Sequence, residues 1–397
     1  MKLSLGELNP PQRILLTPGP SNVEGRVYRA LLAPVLGHLD PDFLRIMDDV
    51  QVLLRRLFQT ENRLTFPVSG TGSAGMETAM TNCLEVSDTA VITVAGFFGA
   101  RLADMARRTG AEVIALEARP GTAVDPQQAR EATRGKKIKL LGVTHGETST
   151  GALHDLDAFR QVADDCGALL VVDAVATVGG MPLQVDAQRL DVCFTGSQKC
   201  LSAPPGLAPF TAGPRAEEVI RQRKTGVSSW YFDLTYIMKY WGGERTYHHT
   251  APISMIYALR EALRLVEEEG LAARWERHRR NQQALLAGLE AMGLELLVAP
   301  AQQMWTVTAV KVPAGVEERK IRQRLLEEFN IEIAGGLGEL KGRIWRVGLM
   351  GASCTENNVL LLLAVLEKCL HEEGWKLSSG AGVAAAAQAY QQIPATT

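Results

Sequence analysis

The 397-residue sequence is short of cysteine, and the little it has forms no pattern: Cys83, Cys166, Cys193, Cys200, Cys354 and Cys369 are scattered. No Cys-x-x-Cys pair occurs and no histidine stands near them at metal-ligand spacing, which excludes a disulfide frame and a zinc site. They read as reduced, mostly buried thiols of a cytosolic-type compartment. Net charge is nearly absent too: a balance of −2 offers no electrostatic footprint for nucleic acid or an anionic membrane surface. No apolar run approaches the length of a membrane span. Residues 1–15, MKLSLGELNPPQRIL, lack a long apolar core and carry two prolines, so no signal peptide is expected. The terminal ATT is not a peroxisomal tripeptide, which leaves the cytoplasm as the default compartment. Internal repeats are missing as well. What remains, at 46% hydrophobic and 22% charged residues, is an ordinary globular chain, long enough for two structural units.

Two periods alternate along it. DPDFLRIMDDVQVLLRRLF (40–58) opens with Asp40 as an N-cap and Pro41 in the first turn, then repeats apolar residues at helical spacing. SAGMETAMTNCL (73–84) reads as a second helix. Strand-like runs follow at 89–95, 112–118, 138–144, 168–174 and 191–196, with helical patterns near 100–109, 125–134 and 155–166 between them. Short runs that are apolar throughout predict strands covered on both faces, hence a doubly wound, mainly parallel sheet. From about residue 252 the texture changes: two long amphipathic patterns precede strand and helix pieces at 305–312, 317–329, 344–349 and 356–370, which suit a smaller α/β or α+β lobe. The expected division is an N-terminal arm over 1–15, a large domain over 16–268, a small C-terminal domain over 269–376 and a flexible Ala/Gln/Gly-rich tail over 377–397.

In an open parallel sheet, ligands bind beyond the carboxyl ends of the strands. Asp173 ends the run LLVVD, Thr148 lies just after LLGVT, and Lys199 lies just after DVCFTG, so the three open into one crevice. A lysine amine and a carboxylate brought together there suit pyridoxal phosphate, the amine for its aldehyde and the carboxylate for its ring nitrogen. Taken singly, Lys199 also reads as a solvated loop lysine and Asp173 as a helix cap. SGTGSAGME (69–77) places Gly70 and Gly72 around Thr71 at a helix start, which makes either an anion site or a tight capped turn. It is neither a nucleotide P-loop nor a dinucleotide fingerprint.

With LLTPGPSNV, THGETSTG, VVDAVATVGG, GSQKCLSAPPG, TYHHTAPI, IEIAGGLG and WRVGLMG, these stretches resemble, in order over roughly residues 15–370, the class V, fold-type I aminotransferases. Within that family the likeness is to the alanine–glyoxylate and serine–pyruvate group. The resemblance implies pyridoxal phosphate as cofactor, with Lys199 as the Schiff-base lysine and Asp173 as partner of the pyridine nitrogen. Thr71, Gly72, Ser73 and Gln198 are implied around the phosphate, and Thr148 near the phenolic oxygen and the substrate. Tyr247 and Thr250 match residues that reach the phosphate of the other subunit, which implies a homodimer with shared sites. Arg346 matches the arginine that binds the substrate carboxylate, and the TPGPSN arm, at Gly19, closes over the same end. The ring-stacking position, often Trp or Tyr, falls on Phe98, with Phe97 able to exchange roles with it. No metal is called for.

The implied reaction carries the amino group of alanine or serine to a small 2-oxo acid, foremost glyoxylate, in ping-pong half-reactions. A planar Arg346 fork suits a carboxylate, although an isolated arginine is more often in a surface ion pair. Lys199, as a free amine, can act as base and acid for a 1,3-proton shift. His145 either orients Thr148 or Asp173 or is structural. His38 and His249 stand where ureidoglycine–glyoxylate aminotransferases tend to carry amides, which argues against that alternative. A cysteine desulfurase or lyase of the same fold would need a mobile-loop cysteine. The candidate, Cys354 in MGASCTENN, reads better as the lead-in to a capped helix.

Overall fold

In the computed structural model, which describes residues 6–392, strand β1 (Ile14–Leu15) and helix α1 (Gly25–Leu31) precede the long helix α2 (Pro41–Phe58). The start of α2 follows its capping chemistry: the Asp40 carboxylate accepts the Asp42 N–H at 2.8 Å, and Pro41 occupies the first turn. The chain then runs through β2 (Leu64–Ser69), α3 (Gly72–Cys83), β3 (Thr89–Val94), α4 (Phe97–Arg108), β4 (Glu112–Glu117), α5 (Pro126–Thr133) and β5 (Leu140–Thr144). A small hairpin, β6 (Gly146–Glu147) with β7 (Ala152–Leu153), leads to α6 (Leu156–Cys166), β8 (Leu169–Asp173), β9 (Val192–Phe194) and β10 (Leu207–Ala212). Seven of these strands form one sheet of order β2-β10-β9-β8-β5-β3-β4. It is parallel except at β10, which runs antiparallel to both of its neighbours. β5 and β8 are buried along their whole length, as strands covered on both faces must be. The expected fold-type I architecture is what the chain adopts.

β2 and β10 have no counterpart among the runs read from the sequence, and proline is the reason. Each carries one near its middle, and Pro67 and Pro209 sit opposite each other in register. Proline cannot donate to a ladder and normally marks an edge. Here β2 is the edge strand, and Pro209 falls just before the three residues of β10 that pair with β9.

The second half comprises α7 (Pro214–Arg221), α8 (Leu234–Trp241), α9 (Ile253–Glu269), α10 (Leu271–Ala291), β11 (Val307–Lys311), α11 (Glu318–Phe329), β12 (Ile331–Glu332), β13 (Ala334–Gly335), β14 (Ile344–Gly348), α12 (Glu356–Glu372) and α13 (Ala381–Gln392). Buried apolar residues from Phe43 to Val266 make one large core, and those from Ala284 to Tyr390 make a second. Leu16 belongs to the second, because β1 pairs in parallel with β12. The start of the chain therefore crosses to the small lobe, where the sequence had placed residue 16 in the large one.

A second difference concerns the tail. Residues 381–392 form α13, which packs on α10 and α12 and buries Ala386 and Tyr390, so the expectation of a flexible segment fails there. The Tyr390 hydroxyl donates to Asn281 at 2.6 Å, and the Arg280 guanidinium lies 4.9 Å from its ring. Small residues that suggested low complexity are what lets the helices approach: a Cβ at Gly288 would come within 2.9 Å of the Gly382 carbonyl oxygen. The outer ends of the expected arm and tail, residues 1–5 and 393–397, lie outside the described residues.

All six cysteines are unpaired thiols, five of them buried. Among the described residues no helix is long and apolar enough to cross a membrane.

The α10–α13 contact can be checked directly. Gly288→Ala should overpack this crossing and cost about 1–3 kcal/mol, read as a lower midpoint in denaturant unfolding. Gly382→Ala, whose Cβ would meet the Met292 sulfur at 2.7 Å, should act in the same direction. Gly288→Ala also meets Leu363 of α12, at 2.4 Å, so the decisive variant is Gly382→Ala: a wild-type midpoint there would mean that α13 is not docked.

Candidate active site

The carboxyl ends of β5, β8 and β9 open on one side of the sheet, and the loops leaving them bring Thr148, Asp173 and Lys199 together. Lys199 is buried, and its Nζ donates to the carbonyl oxygen of Pro18. The arm that supplies this carbonyl is fastened on top of the lysine. The Ser21 N–H donates to Gln198 O at 2.9 Å, and its hydroxyl donates to Lys199 O at 2.8 Å. Gly19, at φ +82°, is the residue that fits here, because any Cβ would come within 2.4 Å of the Lys199 side chain. Burial pushes the Lys199 amine down to about 8; Cys200 and Asp173 oppose the shift, while Arg346 and Arg101 add to it.

Asp173 closes β8 and is buried, with one carboxylate oxygen accepting the Val175 N–H at 2.9 Å. Burial raises its carboxyl to about 7, against the Val175 N–H, with Glu147 adding to the rise and Lys199 and Arg101 opposing it. The amine and the carboxyl thus feel each other through space without sharing a hydrogen bond.

Helix α3 begins at Gly72 with Thr71 as N-cap, no side-chain cap bond and no acid in its first turn. Its Gly72 and Ser73 amides and its positive end are left for an anion, while the Ala74 N–H is taken by the Thr71 carbonyl at 2.7 Å. Beside it, Gln198 Oε1 is buried without a partner, an arrangement worth about 1–3 kcal/mol against the fold unless a ligand relieves it. Turning the amide would present its NH2 at the same point.

Helix α4 has the opposite arrangement. Buried Glu147 accepts the N–H groups of Phe98 at 3.2 Å and Gly99 at 3.0 Å, and the Ser149 hydroxyl accepts that of Phe97 at 2.9 Å. This cap fixes the backbone that carries Phe97 and Phe98, whose rings meet edge to face at 5.6 Å. Phe97 is turned outward into a cleft of about 330 Å³ shared with Leu337 and Leu340. One turn on, Arg101 donates to Ser73 Oγ at 2.9 Å, and its guanidinium lies 5.0 Å from both phenyl rings. Glu147, Ser149 and Arg101 escaped the sequence reading. Glu147 and Ser149 stand inside THGETSTG, however, and Arg101 follows Phe98 by three residues, one helical turn away.

Arg346 sits mid-strand in β14, where Nε donates to Gly335 O at 2.8 Å and Nη1 to Thr148 O at 3.0 Å. Both partners are backbone carbonyls, which leaves Nη2 unengaged by protein, and burial holds the guanidinium down to about 10. His145 is neutral, pushed by burial to about 3; its ring bonds Thr177 Oγ1 at 2.9 Å rather than Thr148, and its backbone N–H donates to the Asp173 backbone carbonyl at 2.9 Å. Tyr247 and Thr250 are not drawn into this group: both are exposed, and their hydroxyls face each other at 3.5 Å.

Comparison with known proteins identifies the family. The family model described as aminotransferase class-V matches residues 24–341. The chain is 42% identical to the (S)-ureidoglycine–glyoxylate transaminase of Bacillus subtilis (strain 168), over 97% of each chain. It is 41% identical to the alanine–glyoxylate aminotransferase of Callithrix jacchus, over 93% of this chain and 90% of that one. The crystal structure of an alanine–glyoxylate aminotransferase from Nostoc sp. superposes with a TM-score of 0.90 at 46% identity, covering 93% of this chain and 98% of that one.

The lowered Lys199 value has a sign that can be tested. Burial disfavours the ammonium, so in cofactor-free protein the labelling rate of Lys199 by a small acylating reagent should rise through pH about 8. An ordinary lysine does so near 10.4. Peptide mass spectrometry across pH reads the midpoint, and a midpoint above about 10 would show that the amine is hydrated.

Proposed function

The chain belongs to the class-V aminotransferases, and from that premise we propose that it carries the amino group of alanine or serine to glyoxylate in two alternating half-reactions at one site. Its cofactor is pyridoxal phosphate. The observation that carries the reading is the buried Lys199 beside the buried, unpaired Asp173, next to the uncapped start of α3. When bound, pyridoxal phosphate supplies an aldehyde for an amine and a ring that draws electron density away from the substrate Cα.

The protein's own groups do the rest. Thr71, Gly72, Ser73 and Gln198 hold the phosphate, with an open helix end and an unpartnered amide as their support. The second Asp173 oxygen would take the ring nitrogen, and Thr148 would stand by the phenolic oxygen and the substrate. Phe98 covers the ring, since Phe97 faces the outer cleft. Lys199 is the base that takes the Cα proton and the acid that returns it, a task suited to an amine lowered to about 8. Arg346 receives the substrate carboxylate on Nη2, and the arm at Gly19 keeps water from the amine. Both substrates carry that carboxylate, so each must leave before the other enters.

A second reading, with ureidoglycine as donor, is favoured by the likeness to the Bacillus subtilis transaminase. Against it stand the side chains at two positions: His38 lies against Tyr247 at 4.9 Å, and His249 bonds Ser69 at 2.6 Å, neither offering an amide. Exposed Trp230, Tyr231, Tyr236 and Tyr247 form an aromatic surface that supports a second copy of the chain there, with Tyr247 and Thr250 completing the copy's phosphate site. Unpaired thiols suit the cytoplasm.

Alanine, serine and ureidoglycine, each assayed against glyoxylate and pyruvate, separate the readings: alanine or serine with glyoxylate should dominate, and ureidoglycine dominance would overturn the first reading. Borohydride treatment of the cofactor-loaded protein should leave the cofactor covalently on Lys199. Arg346→Lys should raise the apparent Michaelis constants of amino donor and oxo acid together, roughly ten- to a hundredfold, with the cofactor absorbance unchanged. If both substrates behave normally, another group holds the carboxylate.

A further inference from the structure

Outside the residues already given roles, a line of three hydrogen bonds leads away from the phosphate turn. Ser69, the last residue of β2, lies 2.6 Å through Oγ from His249 Nε2. His249 Nδ1 lies 2.7 Å from His248 Nδ1, and His248 Nε2 lies 3.4 Å from the Trp230 carbonyl oxygen. One proton arrangement satisfies all three with neutral rings. A carbonyl only accepts, so His248 Nε2 must donate, and its Nδ1 must then accept. His249 Nδ1 therefore donates, its Nε2 accepts, and the Ser69 hydroxyl donates. Burial, the larger cause, and the neighbouring His248 lower His249 to about 4; burial lowers His248 as well, so the neutral state prevails.

We propose that Ser69, His249 and His248 act as one positioning chain, which registers the 247–250 segment on the strand leading into its own subunit's phosphate turn. The inference rests on the proposed dimer, in which that segment is offered to the other subunit's phosphate. Other contacts hold only part of the segment: His248 is buried, and Tyr247 rests against His38 at 4.9 Å. Tyr247 and Thr250 are exposed, and the aromatic residues against the histidines, Trp230 stacked on His248 at 4.5 Å and Tyr231 tilted to His249 at 4.9 Å, are themselves half open to solvent. Ser69 is anchored differently, paired in register with Leu207 in the central sheet. The chain thus ties a weakly supported loop to a rigid strand, and it places the two phosphate sites of a dimer on one hydrogen-bonded line.

The test is a double-mutant cycle on cofactor retention in the full-length protein, with imidazole 15N spectra as an independent readout. Ser69→Ala and His248→Asn each should raise the cofactor dissociation constant roughly fivefold. Because these residues touch only through His249, the double variant should lose no more than the worse single one. Ser69→Thr, which keeps the hydroxyl, should retain the wild-type constant. The wild-type spectrum should show His249 protonated on Nδ1 and His248 on Nε2. Additive losses, no loss in either single variant, or the opposite tautomers would overturn the chain. Sedimentation of the same samples keeps the two ideas apart: a fully active monomer removes the dimer reading, whereas a dimer with additive losses removes only the chain.

Discussion

The site depends on keeping an amine and a carboxyl dry without letting them neutralise each other. Had Lys199 and Asp173 formed a buried ion pair, mutual attraction would hold the amine up and the carboxyl down. The opposite holds: desolvation dominates both, bringing the amine to about 8 and the carboxyl to about 7. The lysine is held by a neutral carbonyl, that of Pro18, and the carboxylate by a backbone N–H, that of Val175. Dipoles orient both groups and leave each one's charge to be completed by what binds between them. A proton carrier near neutrality and a carboxylate awaiting a cation follow from the same burial.

That burial is a joint product of the two lobes. The arm over Lys199 enters from β1, a strand of the small lobe, and Arg346 reaches back from β14 to the Thr148 carbonyl. The flank of Lys199 is held the same way. Arg274 of α10 donates to Gly179 O at 3.0 Å and to the Cys200 carbonyl. Ser202 Oγ accepts the Ala352 N–H at 2.8 Å, and within the small lobe His278 Nε2 accepts the Gly351 N–H at 3.0 Å, which fixes the turn that carries Ala352. A displacement of one lobe against the other would therefore move Arg346 and the lysine's support together, or break several bonds at once.

How much of this was legible in the sequence follows from the range of the interactions involved. Strands buried on both faces announce themselves by composition, and α2 by its cap, because those signals are local. β2 and β10 stayed hidden because Pro67 and Pro209 are tolerable only through their sheet positions, which lie far apart in sequence. α13 stayed hidden because a stripe of small residues means disorder or close helix packing according to whether a partner exists, and Gly288 supplies one from α10. At the site, Lys199, Asp173 and Thr148 could be placed by the rule of strand ends. Glu147 and Arg101 could not, since each acts on a helix start that the fold, not the local sequence, brings within reach.

Those two residues leave one helix start in the crevice without a side-chain cap where its backbone offers two. The connections β2–α3 and β3–α4 are built alike, each a strand, a short turn and a helix start beyond the same edge of the sheet. Two such starts would compete for a phosphate. At α4 the competition is ended from within, because Glu147 and Ser149 occupy the first amides. At α3 the Gly72 and Ser73 amides are left open, and Arg101 reaches across from α4 to bond Ser73, adding positive charge to the open end. Glu147 also acts beyond its cap: its charge adds to the raised value of Asp173 and partly offsets the lowering of Arg346. The Glu147 carboxylate at α4 thus turns an incoming anion away from that helix start and leaves it the start of α3 and the Arg346 guanidinium.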